Sequence, residues 1–170
     1  MPWIEIAKKD IVFDPKVQTY CNNPNFKCPN YGHSWACPPE APYLEENIKQ
    51  FERFFLIYIK HDIGKQKKKG FRQYEFMRAN IEEEISNFIQ NNTIEYNKIQ
   101  ILWDGHCRIC EKEGKRCTID EQLPCRYPDE IRYSMEAIGI NVTETVRKIE
   151  LEIEWPPTNY IFRFGLICVK

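Results

Sequence analysis

Seven of the eight cysteines fall into two groups, Cys21, Cys28 and Cys37 near the start and Cys107, Cys110, Cys117 and Cys125 past the middle, while Cys168 stands alone near the end. Thiols grouped in this way constrain the chain strongly, because they must be paired, ligated or buried as small hydrophobes. A disulfide framework suits short secreted chains that cannot build a core. At 170 residues this chain can bury a core without staples. Its opening, Met-Pro-Trp-Ile-Glu-Ile-Ala-Lys-Lys-Asp, lacks the basic and then apolar regions of a secretory signal. No apolar run nears the roughly 20 residues of a membrane span. The expectation is a soluble cytoplasmic chain with reduced thiols, where dense cysteine points to metal or redox chemistry.

Charge narrows the partners. With 24 basic and 25 acidic residues the net charge is -1, so no global field draws the chain to nucleic acid or to an anionic membrane. A redox protein partner or a small molecule is expected. The lysine run from Lys65 to Lys69 reads as solvated surface. No P-loop, dinucleotide glycine fingerprint or serine nucleophile elbow is present, which leaves a metal to supply any chemistry.

The second group places four thiols within 19 residues, with gaps of two, six and seven. A two-residue gap lets Cys107 and Cys110 converge on one metal or on adjacent corners of a cluster, and iron-sulfur clusters commonly take four cysteine ligands. Basic Arg108, Lys112, Lys115, Arg116 and Arg126 are positioned to offset thiolate and sulfide charge. Structural zinc sites typically present two close pairs of cysteines, whereas only one is found here. Zinc is therefore the rival cofactor and an iron-sulfur cluster the favoured one.

In the first group Cys28 and Cys37 each precede a proline, which favours an extended or turning backbone suited to wrapping a cluster. Gly32 permits a bend between them. Tyr20, Phe26, Tyr31 and Trp35 crowd the same loop and would shield such a centre. Three thiols leave a fourth position for Cys168, His33, His106, solvent or substrate. A core role for Cys168, simple exposure for His33 and buried unligated thiols in the loop are the bland alternatives.

The pattern of apolar residues predicts an α/β fold in one domain, 1–170, with a compact sheet, flanking helices and two cysteine-rich loops. Trp3 to Phe13 reads as an edge strand and Cys21 to Pro42 as a ligand-bearing loop. A helix follows Pro42, with Leu44, Ile48, Phe51 and Phe55 at its spacing, leading into a strand from Phe54 to His61. Phe71, Tyr74, Ile81, Ile85, Phe88 and Ile89 form the stripe of a long helix, interrupted by Arg78. Lys98 to Trp103 reads as a strand whose end carries the second cysteine loop. Asp129 to Ile138 reads as a helix ended by Gly139, and Asn141 caps a further run to about Leu151. Asn159 to Val169 is a closing strand, with Tyr160, Phe162, Phe164, Leu166 and Cys168 on one parity and Ile161 and Ile167 on the other.

Cys28-Pro-Asn-Tyr-Gly with Cys37-Pro-Pro, Pro124-Cys125-Arg-Tyr-Pro128, and Ser134-Met-Glu-Ala-Ile-Gly139-Ile-Asn-Val142 occur here in that order. In these segments the chain resembles a family of uncharacterised cysteine-rich predicted metal-binding proteins of anaerobic archaea and bacteria. The gaps from Cys21 to Cys28 and from Cys110 to Cys117 are longer than that family's usual pattern. The resemblance implies metal or cluster binding and no particular reaction. Glu136, in the third segment, is a candidate neighbour of the second group, or else a solvated helix carboxylate. The function expected is an iron-sulfur protein with one or two 4Fe-4S centres in electron transfer or a redox accessory role. The alternatives are an enzyme with an open cluster iron and a zinc-stabilised interaction module.

Overall fold

The computed structural model describes residues 3–62, 71–92, 94–95, 99–154 and 157–170, so the basic turn at 65–70 and Pro156 lie outside the described residues. The two longest β-forming runs, β4 (Arg53–Asp62) and β6 (Tyr160–Val169), pair antiparallel along their whole length, from Arg53 opposite Val169 to Asp62 opposite Tyr160. β1 (Trp3–Ile6) adds to the outer side of β4 and β5 (Ile99–Leu102) to the outer side of β6, giving the order β1-β4-β6-β5. A two-residue hairpin, β2 (Asn22–Asn23) with β3 (Phe26–Lys27), lies within the first cysteine loop. The α/β expectation holds as a four-stranded antiparallel sheet with helices on its faces.

Alternation along the strands sorts the core into two layers. Phe54, Leu56, Leu166 and Cys168 face one way, toward Ile48, Met135, Ile138, Ile140 and Val146. Phe55, Ile57 and Ile167 face the other way, onto Ile81, Ile85, Phe88 and Ile89 of α2 (Phe71–Asn91). Each such side chain stabilises the fold by roughly 1.5–3 kcal/mol on burial. The parity expected of the closing strand and the stripe expected of the long helix are both present. The side chains of Phe71 and Tyr74 lie outside those described.

Three helices differ from expectation. α1 spans only Glu45–Ile48, because the chain turns at 49–51 and Glu52 N–H donates to Val169 O, drawing the next residues into the sheet. The run 129–138 is no helix. It forms two single 3-10 turns, Pro128–Glu130 and Glu136–Ile138, with an extended stretch between them that bridges Ser134 to Trp103. Trp103 N–H donates to Tyr133 O at 2.7 Å, and this cross-chain bond outcompetes the local helix. Gly139 still stops the segment, at φ +98°. α4 (Val142–Lys148) starts as expected, with Asn141 accepting from Glu144 N–H at 3.1 Å, and stops short of Leu151 with Glu150 at φ 58°. α3 (Ile109–Lys112) is a single turn inside the second cysteine loop.

At Gly165 the Ile85 side chain of α2 packs tightly on the sheet. A Cβ there would sit 2.5 Å from Ile85 Cδ1 and 3.2 Å from Leu102 O. Gly165→Ala is expected to lower the unfolding free energy by about 1–3 kcal/mol through overpacking. Equilibrium urea unfolding checks this, and a change within about 0.5 kcal/mol would show that α2 can yield without loss.

Candidate metal centre

The first cysteine loop is folded by its own backbone. A seven-residue 3-10 turn, Pro15–Cys21, is capped by Asp14 and ends on Cys21, whose carbonyl accepts from Cys28 N–H at 2.8 Å. Gly32, at φ +74°, turns the chain so that its N–H reaches Pro38 O at 2.9 Å. Cys37 N–H donates to Ser34 O at 3.0 Å, and Cys37 O accepts from Ala41 N–H at 2.9 Å. The thiols of Cys21 and Cys28 come within hydrogen-bonding reach of one another, and buried Ser34 reaches the thiol of Cys37.

The second loop leaves the end of β5 and folds through two bends. Gly114, at φ +71°, closes α3 with Lys115 N–H on Cys110 O at 2.9 Å. A 3-10 turn, Thr118–Glu121, then ends at Gln122 in the left-handed region, and Leu123 N–H returns to Thr118 O at 3.2 Å. Cys107, Cys110, Cys117 and Cys125 all line one cavity of about 170 Å³. Cys117 therefore faces the cavity and not an apolar core. Among the described residues no three His, Cys, Asp or Glu side chains stand close enough together to hold one metal ion.

The loops form one unit. Asn30, His33 and Trp35 of the first loop wall the second loop's cavity. Trp35 Nε1 donates to Thr118 Oγ1 and to Leu123 O, each at 3.2 Å. Buried Thr118 in turn donates from Oγ1 to Pro124 O at 2.9 Å. His33 Nδ1 lies 2.7 Å from Asp120 Oδ1. Cys37 feels the charge of Cys107, and Cys125 feels those of Cys117, Cys107 and Cys110.

Two residues that sequence reasoning did not assign brace this unit, Arg78 from α2 and Gln18 from within the first loop's leading turn. Arg78, expected only as a break in an apolar stripe, is 3% exposed and reaches from α2 to the second loop. Its guanidinium donates to His106 O and lies 3.2 Å from His106 Nδ1, which Asn30 Nδ2 also approaches at 3.3 Å. Arginine only donates, so Nδ1 accepts and the neutral ring carries its proton on Nε2, which faces Glu111 at 3.0 Å. Gln18 Nε2 donates to Ala41 O at 3.0 Å and to Ala137 O at 2.8 Å, joining the Cys21 turn to the Cys37 turn and to the Glu136–Ile138 turn. The interruption at Arg78 was the only local signal for either.

Burial dominates the electrostatics. It pushes the Cys37 thiol up to about 12 against the opposing Ser34 hydrogen bond, and it also raises Cys21 and Cys125 above the ordinary thiol range. The basic residues expected to offset thiolate charge are engaged elsewhere. Arg108 pairs with Glu111, Lys112 with Glu82 and Lys115 with Glu113, while Arg126 donates to Arg116 O. Arg116 lines the cavity. Asp104 follows β5 and accepts from Arg163 of β6 at 3.3 Å. Burial raises its carboxyl while Arg163 and Arg78 lower it.

Cys168 is not brought to either group. It is 0% exposed in the apolar layer, paired with Phe54 and Gln100. His106 and His33 both line the second loop's cavity. Glu136, read as a neighbour of the second group or else as a solvated carboxylate, is exposed and contributes to the rise of the Cys21 thiol. All eight cysteines are free thiols.

A mixed α/β sheet with two interlocked, cysteine-lined loops at one strand end is the arrangement of a metal-binding protein. The chain belongs to the family described as predicted metal-binding protein (DUF2284), whose family model matches residues 4–169. Comparison with curated proteins and with solved structures found no match. No described helix is long and apolar enough to cross a membrane.

Removing the Arg78 charge strands buried acceptors, whereas lysine keeps the charge and loses the fork. Arg78→Met is expected to cost about 3 kcal/mol of stability and Arg78→Lys less, measured by urea unfolding of the metal-free chain. Losses below about 1 kcal/mol for both would show that the guanidinium does not organise the loop.

Proposed function

We propose that the chain binds iron-sulfur centres and serves electron transfer or a redox accessory role. Cys107, Cys110, Cys117 and Cys125 would hold one 4Fe-4S centre, and Cys21, Cys28 and Cys37 a second. The observation that carries this is the single cavity of about 170 Å³ lined by all four thiols of the second group. Structural zinc sites typically present two close pairs of cysteines, and Cys107 with Cys110 is the one close pair in this group. A cluster has several irons and sulfides to fill it and takes four cysteines. Once bound, such a group supplies reversible one-electron chemistry.

The chain's own residues set the conditions. Trp35, tied to Thr118 and Leu123, walls the cavity and limits water at the sulfurs. Ser34 donates toward Cys37, and a hydrogen bond to a ligand sulfur favours the more negative, reduced state. Asn30, His33 and Trp35 of the first loop wall the second loop's cavity, so two such centres would be neighbours, suited to passing an electron from one to the other. Thiols that must stay unoxidised fit a reducing compartment and an exchange with a redox protein.

Anaerobically purified or iron-and-sulfide-reconstituted protein is expected to be brown, to contain iron with matching acid-labile sulfide, and to bleach in air. Cys110→Ser should lower the iron content while the apo-chain's unfolding midpoint stays unchanged, because Cys110 lies outside both apolar layers. A colourless chain carrying stoichiometric zinc after reconstitution would overturn the proposal.

A further inference from the structure

The stretch 29–36 runs between Cys28 and Cys37, and its own bonds fold it back on itself. Tyr31 N–H donates to Cys28 O at 3.0 Å, His33 N–H to Asn30 O at 3.1 Å, and Gly32 N–H to Pro38 O at 2.9 Å, which draws its two ends together. Ala36 N–H donates to Ser34 Oγ at 3.2 Å. A segment closed in this way moves as one body, and its two flanking cysteines are where it joins the rest of the first loop.

That body is one wall of the second loop's cavity. Five of its residues, from Asn30 to Ala36, line the space together with the four thiols of the second group. Three side chains fasten it to the far side. Trp35 Nε1 reaches Thr118 Oγ1 and Leu123 O, His33 Nδ1 reaches Asp120 Oδ1, and Asn30 Nδ2 reaches His106 Nδ1. No described residue of 14–43 or of 104–132 belongs to either apolar layer, so neither layer backs these bonds. Exposed ion pairs contribute little, and the side chains of His33 and Asp120 are 57% and 46% exposed. The indole N–H, which meets buried Thr118, is the stronger fastening. A region held by a few such bonds opens locally far more often than a packed core unfolds.

We propose that residues 29–36 are a lid over the second centre, and that iron and sulfide reach the four thiols, and leave them, when the lid swings about Cys28 and Cys37. This rests on the reading that the second group holds an iron-sulfur centre. Metal bound at Cys28 and Cys37 fixes both hinges, so filling the first group slows exchange at the second. The first cysteine loop then has two roles, as a ligand set and as the control on access to its neighbour.

The test uses the full chain, loaded anaerobically with iron and sulfide and then challenged with excess EDTA. Trp35→Phe keeps an aromatic ring and deletes the N–H. It should speed iron uptake by the metal-free chain and iron loss from the loaded one, each about three- to tenfold, with the final iron content unchanged. A lid moves both rates together, whereas a ligand or a structural prop lowers the content. Unchanged rates, a change in only one of them, or a lower iron content overturns the proposal. Nuclear magnetic resonance of the loaded wild type needs no substitution and decides the matter if Trp35→Phe fails to fold. There the Trp35 indole proton should exchange with solvent faster than iron is lost, and slower exchange overturns the lid. Cys28→Ser with Cys37→Ser should lower the iron content by the first centre's share and speed loss of the rest about five- to tenfold. Loss at the wild-type rate would refute control by the hinges. An iron content that those two substitutions leave unchanged would refute a first centre, and hinge control with it, while the Trp35 measurements still decide the lid. No iron in any form would refute the iron-sulfur reading itself.

Discussion

The full-length antiparallel ladder between β4 and β6 buries side chains on both of its faces, so a helical layer and a loop-bearing layer hang from the same two strands. β5 joins this ladder and ends at Leu102, delivering the next residues to the edge of the sheet, where Asp104 meets Arg163 of β6. α2 lies across the opposite face and carries Arg78 to the same edge. The cysteine loops therefore take their position from backbone pairing and apolar packing. Apart from Cys168, neither apolar layer contains a cysteine, so metal is not what builds the core.

At that edge the problem is charge. Thiols crowded together resist ionisation, and burial adds to the resistance at Cys21, Cys37 and Cys125. The surrounding cations are largely spent on carboxylates, so local basic side chains offer the sulfurs little relief. A metal centre supplies the missing positive charge directly, since a coordinating thiol is deprotonated by its ion. The same argument explains why buried Arg78 addresses a histidine and a carbonyl and not a sulfur: it fixes the loop and leaves the sulfurs to the metal.

Much of the scaffold was legible because it rests on local periodicity. β4, α2 and β6 show their burial pattern in consecutive residues, and Asn141 announces the start of α4. The segment 129–138 misled because its apolar spacing suits a helix, while the bond that decides its conformation comes from Trp103. Sheet order is non-local in the same way. Grouping of the seven cysteines was visible, but the interlock of the loops was not, since Trp35 meets Thr118 across 83 positions and His33 meets Asp120 across 87. Gln18 gave no signal at all, because its two acceptors are main-chain carbonyls of residues distant in sequence.

The gaps from Cys21 to Cys28 and from Cys110 to Cys117 both pass through exposed turns. Asn23, Pro24 and Asn25 lie exposed at the tip of the small hairpin, and Glu113, Gly114 and Lys115 lie exposed just after α3. Lengthening such a turn is cheap, about 0.6 kcal/mol for each doubling of a flexible loop. Neither turn belongs to the sheet or to the bonds between the loops. Residues can therefore be added or removed there while each thiol keeps its place, so the count of residues between cysteines is not what the site depends on. What selection can hold constant instead is where each cysteine stands relative to a fixed anchor: Cys21 at the end of its 3-10 turn, Cys107 a few residues past β5, Cys125 beside the carbonyl that Thr118 grips.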